Sequence, residues 1–183
     1  MSTEAMDVSR FLRTPGPDPV LRLVVLERGS ALVPVLRPVL LPEAAVLSAT
    51  PGEPLPPPSG TVGGLPWALL ALAAGGPEDE TLPAAVVDAV RAAQAAGTPP
   101  ARVLIGSERP HLTGDAGAPC GDPLPCPVTL LSPEPDARAV EVWQRLSPDG
   151  FTVRLLGPDA WAPDRGLPVT AQLIKEELRV WPA

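Results

Sequence analysis

Residues 20–41 read VLRLVVLERGSALVPVLRPVLL, and the way this stretch divides into elements decides the fold. In VLRLVVLE (20–27), Leu21, Leu23 and Val25 alternate with Val20, Arg22, Val24 and Leu26. Both faces are largely apolar, the pattern of a central strand covered on both sides. Arg28, Gly29 and Ser30 make a tight connection into ALVPVLRPVLL (31–41), read as a second strand. Pro34 and Pro38 cannot donate to a ladder, which puts this strand at an edge or breaks it. AAVLSAT (44–50) supplies a third, short strand.

Outward from this stretch the chain changes period. Residues 1–18 form an N-terminal tail or short helix, closed by the turn-rich TPGPDP at 14–19. PGEPLPPPSG (51–60) is an extended, proline-rich loop. Pro66 opens a short helix through WALLALAA (67–74), which Gly75 and Gly76 end. LPAAVVDAVRAAQAAG (82–97) is the clearest helix, with Val86, Val90 and Ala93 on one face and Gly97 as its stop. ARVLIGS (101–107) and PVTLL (127–131) are strands, separated by a long loop at 107–126. A helix at 136–146, a strand at 151–156 and a helix at 167–181 complete the chain. Residues 19–183 are therefore expected to form one α/β domain.

Three antiparallel meander strands followed by α-β-β-α-β-α would build a mixed sheet with helices on its faces. This is the order of the ribonuclease-H-like fold. The stretches VLRLVVLERGSALVPVL, LPAAVVDAVRAAQAAGTPPARVLIG and GFTVRLLGPD resemble an uncharacterised bacterial domain family with that succession of elements. The resemblance covers roughly residues 19–180 and implies the fold; it implies no activity.

Composition narrows the function. The chain of 183 residues has a net charge of −7, and Lys175 is its only lysine. Proteins that grip phosphates do so with basic surfaces, so a nucleic-acid partner is not expected. No apolar run approaches the ~20 residues of a membrane span. MSTEAMDVSR has no apolar signal core, and the expected compartment is the cytoplasm.

Reactive side chains gather in HLTGDAGAPCGDPLPC (111–126), which holds the one histidine and both cysteines. A zinc site there would use His111, Asp115, Cys120 and Cys126, although the five-residue gap between the cysteines is wider than a usual knuckle. A disulfide between Cys120 and Cys126 is geometrically open, because Gly121 and the intervening prolines favour a turn. A reducing cytoplasm instead favours two free thiols. The ribonuclease-H-like order raises a second set, Glu27, Asp88, Glu108 and Glu176 or Glu177, as carboxylate ligands for two Mg or Mn ions. No Gly-x-Ser-x-Gly, dinucleotide fingerprint or phosphate loop occurs, so serine-hydrolase, dinucleotide and kinase chemistry is not expected. The resulting expectation is a non-catalytic module without cofactor that binds a protein partner or itself through exposed edges such as 31–41. The alternatives are a metal-dependent phosphodiesterase or nuclease on the four carboxylates, and a thiol or zinc switch at Cys120 and Cys126.

Overall fold

The structure is a computed structural model that describes residues 19–26, 32–41, 43–53, 55, 65–73, 81–107, 121–148, 150–162 and 165–179. The elements follow the order β1 (Leu21–Leu26), α1 (Leu32–Leu40), β2 (Ala44–Ala49), β3 (Trp67–Ala73), α2 (Leu82–Ala95), β4 (Arg102–Ser107), β5 (Val128–Ser132), α3 (Ala137–Leu146), β6 (Thr152–Leu155) and α4 (Leu167–Arg179). The six strands form one sheet in the order β2-β1-β3-β4-β5-β6, and every neighbouring pair is parallel.

This corrects the expectation of an antiparallel meander with ribonuclease-H-like order. The error has two sources. Residues 32–40 are the helix α1 and not an edge strand. Leu32, Val33, Leu36 and Leu40 recur at helical spacing and are all buried, whereas Pro34, Arg37 and Pro38 face outward. Pro34 lies in the first turn, where no N–H partner is needed. Pro38 forfeits one backbone bond, and the packed apolar stripe outweighs that loss.

Conversely, WALLALA is the strand β3 and not a helix. It lies between β1 and β4, and Ala68, Leu69, Leu70 and Ala71 are all fully buried. A strand covered on both faces shows no alternation, so its sequence cannot be told from a short buried helix by period. Exchanging these two assignments converts a meander into β-α-β crossovers, which parallel neighbours require.

The core has two layers. On one face of the sheet, Leu21, Leu23 and Val25 of β1 meet Leu32 and Leu36 of α1 and Ala171, Ile174 and Leu178 of α4. On the other, Val24 and Leu26 meet Val86, Val87 and Val90 of α2, with Val142, Trp143 and Leu146 of α3 farther along. Near the carboxyl ends of the central strands the first layer is closed by Trp161, whose ring lies against Gly106 of β4. A Cβ added at Gly106 would stand 2.5 Å from that ring and 2.8 Å from Leu72. Only hydrogen fits there.

At the opposite end of the sheet, Glu177 in the last turn of α4 is buried and takes two arginines. Arg102 Nη1 donates to its Oε2 at 3.0 Å, and Arg154 Nε to its Oε1 at 2.6 Å. The pairs tie α4 to β4 and β6, and Arg102 also reaches Thr129 Oγ1 of β5 at 3.4 Å.

Two stability measurements check this architecture. Gly106→Ala should cost about 1–3 kcal/mol through overpacking against Trp161, read as a lower urea midpoint with an unchanged slope. Glu177→Gln should cost about 2 kcal/mol, less than the ~3–5 kcal/mol of a fully buried pair, because Arg154 is half exposed and water screens part of the loss.

Candidate functional site

In an open parallel sheet, ligands bind outside the carboxyl ends of the strands where the chain order reverses. Here β1 leads through α1 to β2 on one side, and β3 leads through α2 to β4 on the other. The switch point therefore lies between the carboxyl ends of β1 and β3. Its two turns, 27–31 and 74–80, are outside the described residues.

From this point a groove of about 780 Å³ runs down the α2 face of β1. Its upper end is bordered by Leu26, Thr81 and the Pro51–Glu53 turn, and its lower end by Arg22, Trp67 and Thr98. One wall is α2, where Ala85, Ala89, Ala92 and Ala93 carry side chains too small to fill the space against the sheet. The volume lies within the ~300–1,000 Å³ of small-molecule sites.

Arg22 is the exception in this apolar setting. Within β1 it shares the groove face with Val24 and Leu26, and it is only 7% exposed. Among the described residues, no carboxylate or other acceptor stands within bonding distance of its guanidinium. Its neighbour in register on β3, Trp67, is by contrast satisfied: the indole N–H donates to the carbonyl of Thr98 at 2.9 Å.

Two further carboxylates stand at the carboxyl ends of the adjacent strands β5 and β6. Those ends leave the sheet side by side, with the Leu156 N–H donating to the Ser132 carbonyl at 3.0 Å. Asp136 occupies the N-cap position of α3 in extended backbone, yet its carboxylate makes no cap hydrogen bond. It is half-buried, whereas Asp159 in the β6–α4 connection is exposed. Ser132 is buried and accepts from the Glu134 N–H at 3.3 Å.

Of the carboxylate set expected from sequence, Asp88 and Glu176 do not come together. Asp88 is on α2, on one face of the sheet, and lines the groove; Glu176 is on α4, on the other face, and is exposed. The sheet separates them, so they cannot share a metal ion. Glu177 is engaged with Arg102 and Arg154. Glu27 and Glu108 lie outside the described residues, as do His111, Asp115 and Cys120. Among the described residues there is no cluster of three or more metal-ligating side chains.

Cys126 is a buried free thiol. Its segment is clamped to α3 and the residue that follows it: the Leu124 N–H donates to the Leu146 carbonyl at 2.7 Å, and Ser147 Oγ to the Cys126 carbonyl at 3.2 Å. Burial pushes the thiol from an ordinary 9.0 up to about 11. The folded protein thus holds this proton more tightly than the unfolded chain, so the stabilisation is complete below pH 9.0 and lost as pH rises to about 11. Urea titrations across that window should show a fall in stability that is smaller in Cys126→Ala.

No protein-family model matches the chain, and no curated protein matches it. Among solved structures it is similar to the RedJ thioesterase from the prodiginine biosynthetic pathway of Streptomyces coelicolor. That likeness has a TM-score of 0.61 at 16% identity and covers 96% of this chain and 100% of that one. It is also similar to a structure of RedJ with a PEG molecule bound in the active site, with a TM-score of 0.56 at 16% identity and coverage of 88% and 91%. The likeness is one of fold. Because the chain shares its fold with a thioesterase, it speaks against the expectation of a non-catalytic protein-binding or self-associating module and against that of a nuclease. The supposed edge strand within 31–41 is instead the helix α1 (Leu32–Leu40), and the fold is similar to that of the RedJ thioesterase. No described helix is long and apolar enough to cross a membrane.

Proposed function

We propose that the protein is a thioesterase-type enzyme that acts on an acyl thioester at the carboxyl ends of its central strands. The observation that carries this reading is the full-length likeness in fold to the RedJ thioesterase. The apolar groove opening at the switch point supports it, as does the PEG molecule bound in the active site of RedJ.

The chemistry has a constraint written in the sequence. A serine hydrolase carries its nucleophile on a strand-to-helix turn of the form Gly-x-Ser-x-Gly. Between β3 and α2 this chain reads Ala-Gly-Gly-Pro-Glu-Asp-Glu at 74–80, with no hydroxyl or thiol. Hydrolysis in this reading therefore proceeds by direct attack of water on the thioester carbonyl, without an acyl-enzyme. A carboxylate at a strand end takes the proton of that water, and the leaving thiolate is protonated by solvent. Asp136 is the base of choice: it follows β5, two strands along from β3 on the same edge of the sheet, is half-buried, and is not consumed in capping its helix. General-base assistance of this kind contributes typically ~10²–10⁴-fold.

Incubation with an acyl-coenzyme A, followed with a thiol-reactive chromophore, should show thiol release that Asp136→Asn lowers by about 100-fold or more. Intact-mass measurement during turnover should show no acyl adduct. An adduct would replace the water mechanism with a covalent one. Thiol release no faster than in buffer alone would remove the reading.

A further inference from the structure

We infer that the groove beneath the switch point binds a fatty carboxylate, with Arg22 as the anchor for its anionic head and the Ala-lined wall of α2 as the seat of its chain. Leaving a charge buried and unpaired is among the more costly arrangements in a protein interior, and interior charges are paired or hydrogen-bonded as a rule. Arg22 is 7% exposed and faces an apolar groove, with no acceptor among the described residues. Thr98, just past the C-terminus of α2, borders the same end of the groove as Trp67. The partial charge of that helix end is only about half an elementary charge, and it offsets part of the guanidinium. An anion brought in by a ligand would complete the pairing through charge-assisted, bidentate hydrogen bonds.

The shape of the space selects the rest of the ligand. From Arg22 to Leu26 the groove follows β1 for roughly 13 Å at about 3.3 Å per residue. Along that path it offers the apolar side chains of Val24, Leu26, Leu55 and Ala89. Glu53 and Asp88 stand exposed on its lining and repel an anion there, which leaves Arg22 as the place for the head group. A chain apolar along its length and anionic at one end fits these demands. Arg22 stands at the amino end of β1, about 13 Å from the carboxyl ends where a thioester would be cleaved, so this place is separate from the proposed site of hydrolysis, and a carboxylate is chosen for its bidentate fit to a guanidinium.

Calorimetric titration of the full-length protein with decanoate, decyl phosphate and decanol tests this inference. Decanoate should bind, and Arg22→Gln should weaken it by at least about tenfold, the loss expected for hydrogen bonds to a charged group. Decanol should bind weakly and be indifferent to Arg22→Gln. Ala89→Phe, which fills the groove without touching Arg22, should abolish decanoate binding and keeps the test open should Arg22→Gln fail to fold. Decanoate affinity unchanged in a folded Arg22→Gln protein, or undiminished in Ala89→Phe, would overturn the proposal. Binding of decyl phosphate alone would overturn the carboxylate assignment in favour of a phosphoryl head. Because binding is read without turnover, a protein that cleaves no thioester yet binds decanoate through Arg22 keeps this inference, and one that cleaves thioesters without binding decanoate loses it.

Discussion

Because every strand of the sheet runs in the same direction, no two neighbours can be joined by a short hairpin, and each connection has to cross a face of the sheet. The rest of the structure depends on that constraint. It explains why β1, lying between β2 and β3, has all six of its residues buried. It also explains why helices cover both faces, with α1 and α4 on one and α2 and α3 on the other. The reversal of direction between the α1 and α2 crossovers opens the crevice at the carboxyl ends of β1 and β3.

Arg22 gains its meaning from the same constraint. On an exposed edge strand, an arginine between Leu21 and Leu23 would reach water and need no partner. On a strand enclosed by two neighbours and faced by α2, it is buried and lines the groove. The contrast with Glu177 is instructive. That carboxylate is buried as deeply but is met by Arg102 and Arg154, a satisfied group that ties elements together. A paired buried charge reads as architecture, whereas one with no partner among the described residues, beside a groove, points to a ligand.

Much of the chain from residue 82 onward was legible. The helices α2, α3 and α4 show apolar residues at helical spacing, and Pro83 and Gly97 mark the limits of α2. The site was far less so. Asp136 looked like an ordinary helix start, and a strand covered on both sides said that Arg22 is enclosed but not what meets its guanidinium. Asp88 and Glu176 had the right residue types in a suggestive order, but order along the chain says nothing about which face of a sheet each helix covers.

By itself the sequence determined an α/β class, a buried first strand, the absence of a Gly-x-Ser-x-Gly nucleophile turn, and the short apolar segments at 32–40 and 67–73. It could not decide which of those two was helix and which was strand. Local preference pulls both the wrong way: prolines argue against the helix at 32–40, and leucine and alanine argue for one at 67–73. Only tertiary packing decides, because one segment has a single face to bury against the sheet and α4 and the other is buried on both faces between β1 and β4. Strand direction, the switch point and the place of Arg22 on the groove follow from that choice, and each is a relation between residues far apart in the chain.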